Sequence, residues 1–257
     1  MESVKILKSR LANICQNYKF AQDEKPNNLV IEAPYIPFIP ENWHRNKVLI
    51  LFESQNLSGA RRGNKNYLKE LTSKDSSTNK VMRLYNNSLG EGRLGILPWD
   101  ASFLDLPLKV CFPTFDRNDF AVGNSVLWSL ASNKKNISPS SLLIELSSML
   151  WKVFLEEMDP NIIITVGNVA DSVIKKTKYS KCIIINTFFP YGRYASFIHK
   201  HFNFTSEVSR YQEVQIALEA LNKTLNSPIS SSNSVHLSKT LPMAISLLFK
   251  INQKRYG

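Results

Sequence analysis

The chain has 257 residues, enough to bury a sizeable α/β core without disulfide or metal support. Its three cysteines, Cys15, Cys111 and Cys182, are odd in number, widely spaced and without a Cys-x-x-Cys pair, which excludes a disulfide scaffold and argues against a zinc site or cysteine-bound cluster. A net charge of +11 points to a polyanionic partner, nucleic acid first.

In chain order, residues 1–20 place Val4, Leu7, Leu11 and Ile14 at helical spacing among Lys5, Lys8 and Arg10. This pattern predicts an amphipathic helix; a signal peptide would need a continuous apolar core. Residues 25–41 carry Pro26, Pro34, Pro37 and Pro40 and read as an extended strap across the surface. The run 47–52 is a strand buried on both faces, and it opens directly onto Glu53, Gln55 and Asn56. In open parallel sheets ligands bind beyond the carboxyl ends of such strands, so Glu53 stands where these folds place chemistry. The bland alternative is a solvated loop carboxylate.

Residues 59–66, with Arg61, Arg62 and Lys65, form a basic loop, and 90–100 an irregular glycine-rich loop ending in Pro98-Trp99. A further strand is expected at 106–115, bounded by turns at Pro107 and Pro113. Residues 133–141 read as a polar connection that offers Ser138 or Ser140 as an N-cap, and 142–157 as a helix. Residues 162–166 form a second buried strand that runs into Gly167 and a helix beginning near Asp171. A third strand, 182–187, opens onto the Phe-Phe-Pro-Tyr-Gly-Arg-Tyr loop at 188–194. Helices are expected at 207–225 and 241–252. Helix, apolar strand, glycine turn, helix is the signature of an α/β fold, and parallel strands would gather the outlets at Glu53, Gly167 and Phe188 along one edge. Between 171 and 203, Lys175, Lys176, Lys178, Lys181, Arg193 and Lys200 interleave with Tyr179, Phe188, Phe189, Tyr191, Tyr194 and Phe197. Cations for phosphates and rings for bases make a nucleic-acid face; a solvated lysine face beside core aromatics is the alternative.

Three segments carry a resemblance to the uracil-DNA glycosylase superfamily. Leu51-Phe52-Glu53-Ser54-Gln55-Asn56 resembles its water-activating loop, with Glu53 on the acidic position. Pro160 to Ala170 is similar to a strand-glycine-alanine segment of its iron-sulfur branch, and Thr187-Phe188-Phe189-Pro190-Tyr191 resembles its DNA-entering loop. The chain departs from the pattern at Phe52, Gln55, Phe189, which falls on the family histidine, and Tyr191. Cys111 has none of the companion cysteines a cluster needs.

The resemblance implies a three-layer α/β sandwich with a mainly parallel central sheet. It implies one domain over 1–257, with an N-terminal helix at 1–20 and a C-terminal helical extension at 207–257. It also implies a DNA glycosylase that flips out a uracil or modified pyrimidine and hydrolyses its N-glycosidic bond, in repair or in defence against phages with modified DNA. Glu53 would activate water, assisted by Gln55 and Asn56; Trp99 would stack the base, with Phe112 and Asp116 in its pocket. Arg61, Arg62, Lys65, Tyr191, Arg193 and Tyr194 would hold DNA. The base reader would lie within 106–124, a stretch containing Thr114, Asp116, Asn118, Asp119 and Asn124. A conventional uracil site has an asparagine at the end of a strand there, where this chain has Cys111-Phe112-Pro113, so an altered pocket is expected. The lost histidine calls for another donor, and Asn168, Asn186 and His199 are nearby choices. A cytoplasmic monomer acting on DNA, without cofactor, metal or membrane, is the expectation. The competing reading is a non-catalytic nucleic-acid-binding protein on the same fold.

Overall fold

The computed structural model describes residues 4–18, 39–56, 111–112, 120–130 and 139–187, with single positions between 20 and 37 and between 247 and 254. Its elements are α1 (Val4–Gln16), α2 (Trp43–Asn46), β1 (Val48–Asn56), β2 (Phe120–Leu130), α3 (Ser141–Met158), β3 (Ile162–Val166), α4 (Asn168–Thr177) and β4 (Ile183–Thr187). The four described strands form one open, all-parallel sheet in the order β2-β1-β3-β4. The chain divides into two compact units, 1–100 with 117–186, and 101–116 with 187–257. The sheet and the described helices α1 to α4 belong almost entirely to the first.

β1 is the centre of this sheet. Val48 to Phe52 pair in register with Phe120 to Asn124 on one side and with Ile162 to Val166 on the other. Residues on both faces are out of water: Leu49 and Leu51 on one, Val48 and Ile50 on the other. A parallel sheet demands this, and it explains why β1 and β3 read as unbroken apolar runs. α3 and α4 pack on the face that carries Leu49, Leu51, Ala121 and Ile163. α3 alone buries Leu143, Leu150, Trp151, Phe154, Leu155 and Met158, each worth about 1.5–3 kcal/mol on removal from water.

The termini of these elements follow from their residues. Ser140 caps α3 by accepting from the Leu143 amide at 3.3 Å, and Asp159 ends the helix at a left-handed φ of 47°. Lys47, also left-handed at φ 51°, ends α2, and its ammonium donates to Asp159 at 2.9 Å. That pair ties the entrances of β1 and β3 together, with the Lys47 carbonyl accepting from the Asn161 amide at 2.9 Å. α1 packs through Val4, Leu7, Leu11 and Cys15, with Ile14 partly buried against the same core, and Arg10 pairs with Glu157 of α3 at 3.0 Å. Pro37, from the proline-rich stretch, lies against β2 at Gly123, where an added Cβ would stand 3.1 Å from Pro37 Cβ.

The sheet differs from expectation in one strand. Its edge strand is Phe120–Leu130, whereas Cys111, inside the strand expected at 106–115, is helical. The Gly123-Asn124-Ser125 triplet disguises β2 by breaking its apolar run. All three sit inside the sheet, because Gly123 makes room for Pro37 and Ser125 has its hydroxyl bonded to the Glu53 carbonyl. β1 also runs on through Glu53 to Asn56, beyond the end expected at Phe52. α4 begins at Asn168, ahead of the expected start near Asp171, because the Gly167 carbonyl already accepts from the Asp171 amide.

Candidate active site at the outlet of the central strand

The strand that follows β1 in the chain, β2, lies on one side of it and the next strand, β3, on the other, so the connection from β2 to β3 crosses over β1. This makes its carboxyl end the switch point of the sheet, where open α/β folds form a crevice. Glu53 occupies that point. Pairing with β3 stops one residue earlier at Phe52–Val166, while pairing with β2 resumes at Ser54–Val126 and then slips between Ser54 and Asn56. Glu53 is therefore a strand residue on one side and faces an open end on the other. It is half-buried, so the solvated-loop alternative does not describe it.

Three neighbours fix it. Oε1 accepts from the Val169 amide in the first turn of α4 at 3.4 Å, a long bond in which the attraction of a carboxylate for a helix N-terminus does most of the work. Gly167 stands directly beside the carboxylate: a Cβ there would overlap Cγ, Cδ and Oε1 of Glu53. Its φ of 101° and ψ of 165° belong to glycine alone, so the residue supplies both the turn and the space. The main-chain carbonyl of Glu53 accepts from Ser125 Oγ at 2.5 Å. Ser125 is in turn held by Trp151 of α3, whose indole N–H donates to the Ser125 carbonyl at 2.8 Å, while Ser147 Oγ accepts from the Leu127 amide at 3.0 Å.

Chemically, this is a half-buried carboxylate at the carboxyl end of the central strand, with one oxygen anchored on a helix N-terminus. It suits a group that orients or deprotonates water, or balances a developing positive charge. Asn168, the first residue of α4, is exposed on the same rim. Asn124 lies on β2 opposite Phe52 and is buried at 2 % exposure. Ser125, Trp151 and Gly167 carry the geometry. Only Gly167 had a sequence signal, a glycine directly after an apolar strand; the Ser125 bond depends on a strand register invisible in sequence.

Several residues expected at the site belong to other elements than expected or fall outside the described set. Gln55 and Asn56 have their backbone in β1, not in an outlet loop. Phe112 is buried in the second compact unit. Arg61, Arg62, Lys65, Trp99, Asp116, Tyr191, Arg193 and Tyr194 fall outside the described residues, as do the loop 188–194 and His199. The basic and aromatic stretch after 171 divides on inspection. Lys175, Lys176 and Lys178 are exposed at the C-terminal end of α4, roughly 9–14 Å along the axis from Val169, where cations complement the helix dipole. Lys175 pairs with Asp171 at 2.6 Å. Tyr179 is buried in the core and offers no stacking face, and burial pushes its phenol up to about 12. Burial likewise pushes the Cys15 thiol to about 12 and the Cys182 thiol to about 11.

Among the described residues, no cluster of histidine, cysteine or acidic side chains could hold a metal, and no helix is long and apolar enough to cross a membrane. A comparison with protein-family models and another with curated protein sequences find no match to this chain.

Proposed function

We propose that this protein is a DNA glycosylase, of the uracil-DNA glycosylase kind, that hydrolyses the N-glycosidic bond of a flipped pyrimidine with Glu53 as the water-activating group. The observation that carries this reading is the half-buried Glu53 carboxylate at the switch point of a β2-β1-β3-β4 parallel sheet, anchored on the first turn of α4. Departure of the base leaves an oxocarbenium-like sugar; a fixed carboxylate both balances that charge and aims the water. The net charge of +11 supports a DNA substrate through phosphate contacts.

The corrected strand also bears on the base. Because the sheet strand is Phe120–Leu130, the comparison with Cys111-Phe112-Pro113 no longer argues for an altered pocket. Asn124 is the asparagine carried by that strand, one residue before the Ser125 that bonds the Glu53 carbonyl. Uracil thereby gains as the target, and Asn124 becomes its reader in place of Asp116. Of the candidate donors for the lost histidine we take Asn168, which is exposed at the N-terminus of α4.

The test is direct. The protein is incubated with single- and double-stranded DNAs carrying uracil, thymine mismatches, hydroxymethylcytosine or glucosylated hydroxymethylcytosine, and abasic sites are scored by alkaline cleavage. Release from at least one substrate is expected, with Glu53→Gln slowing single-turnover release by at least ~100-fold while DNA affinity holds. DNA binding without release from any of them would favour the non-catalytic protein instead.

A further inference from the structure

We infer that Ser125 is a positioning residue for Glu53, its hydroxyl fixing the peptide plane from which the carboxylate is aimed at the N-terminus of α4. The consequence for turnover rests on the glycosylase reading; the positioning itself is a property of the folded chain.

The need for such a device follows from the sheet. Up to Phe52 the peptide planes of β1 are locked by ladders on both sides, but at Glu53 the β3 ladder has ended and the β2 register is about to slip. A strand so released can rotate its peptide plane, and the side chain turns with it. Ser125 stands against that rotation. It is fully buried, a place where a hydroxyl costs free energy unless bonded, and it donates across strands to the Glu53 carbonyl, 72 residues away in sequence. Its own backbone is immobilised by the buried Trp151 indole, so the restraint on Glu53 is referred to α3 as well as to β2. In a helix a serine hydroxyl can bond back within its own element, as Ser148 of α3 does to the Ile144 carbonyl four residues earlier, whereas the Ser125 hydroxyl reaches a neighbouring strand.

The Val169 amide provides a readout that needs no substrate, because it donates to Glu53 Oε1. In the full chain, hydrogen exchange at that amide is measured by NMR for the wild type, Ser125→Ala, Glu53→Gln and the double variant. Loss of the hydroxyl is expected to speed exchange at Val169 about 3- to 10-fold and to move its resonance in the direction seen for Glu53→Gln. The Ile163 amide in the middle of β3 should keep its wild-type rate, which separates lost positioning from general destabilisation. With a DNA substrate from the panel above, Ser125→Ala should slow single-turnover release about 10-fold at unchanged DNA affinity, and should have no effect in the Glu53→Gln background.

If Ser125→Ala does not fold, Ser125→Cys, close in volume but a weak donor, gives the same Val169 readout with a smaller change. Wild-type exchange at Val169 in these variants, or equal acceleration at Val169 and Ile163, overturns the inference. Full release by Glu53→Gln would instead refute the role given to Glu53 in catalysis, leaving the exchange data to decide Ser125 alone.

Discussion

Gly167→Ala tests the geometry of the site without reference to substrate. Two costs add. An alanine held at φ 101° and ψ 165° lies in a region essentially reserved for glycine, worth about 1–3 kcal/mol. Its Cβ would also displace the Glu53 carboxylate from the first turn of α4, forfeiting about 0.5–1 kcal/mol of charge–dipole attraction at a half-buried position. Against this stands the smaller conformational entropy of an unfolded chain carrying alanine, about 0.4–1 kcal/mol. The net loss is about 1–3 kcal/mol, which for a protein of this size lowers Tm by about 3–10 °C. Gly123→Ala is the matched control: the same chemical change in the same sheet, with no positive φ and only Pro37 to displace by a few tenths of an ångström. It should fall within ~1 kcal/mol of wild type. Thermal unfolding followed by circular dichroism compares the two. Equal melting of both variants, or a wild-type Tm for Gly167→Ala, would refute the assigned backbone and the contact with Glu53.

The remaining predictions concern the supports and the far end of the sheet. Trp151→Phe keeps a ring in the core but leaves the buried Ser125 carbonyl without its indole donor, so urea denaturation should show a loss of about 1–3 kcal/mol. Asp159→Asn keeps a residue that tolerates the left-handed φ of 47° while removing the carboxylate. Lys47 holds that carboxyl below the usual range, so its contribution is present above the unfolded-state pKa and is lost as pH falls through the lowered folded value. The Asp159 side chain is 63 % exposed, so the deficit of the variant at neutral pH should stay below ~1 kcal/mol and close under acid, as pH-dependent denaturation would record. With its thiol pushed up to about 11, half-buried Cys182 should be about one-thousandth thiolate at pH 8 and alkylate slowly in the native protein; rapid labelling there by iodoacetamide would contradict that raised pKa.

The sequence made the apolar strands legible and hid the strand that matters most to the site. β3, β4 and α3 stand close to where periodicity put them, down to the Ser140 cap, because each is specified by local residues. β2 was obscured because Gly123, Asn124 and Ser125 look locally like a turn, whereas Gly123 and Ser125 answer demands from elsewhere in the fold. Gly123 answers Pro37 and Ser125 answers Glu53, which no window along the chain contains. The same cause shortened β1. Glu-Ser-Gln-Asn reads as the polar outlet of a strand, yet it stays extended because β2 continues beside it as far as Leu130. Glu53 itself was legible, since a carboxylate directly after a buried parallel strand falls at a known place in such sheets.

What separates Glu53 from an ordinary polar residue at a strand end is how many elements are committed to it. A solvated carboxylate needs no cleared space, yet Gly167 is held in a conformation and a spacing that any side chain would destroy. It needs no helix terminus, yet α4 starts early enough to present the Val169 amide. It needs no buried hydroxyl on a neighbouring strand, yet Ser125 is there and is itself secured by Trp151. Each arrangement is costly alone: a backbone open only to glycine, a buried polar group, an indole donor spent inside the core. Costs that converge on one residue from β2, α3, α4 and the turn at Gly167 mark a position whose geometry is tightly specified, and in this sheet that position is the carboxyl end of the central strand, where open α/β folds bind ligands.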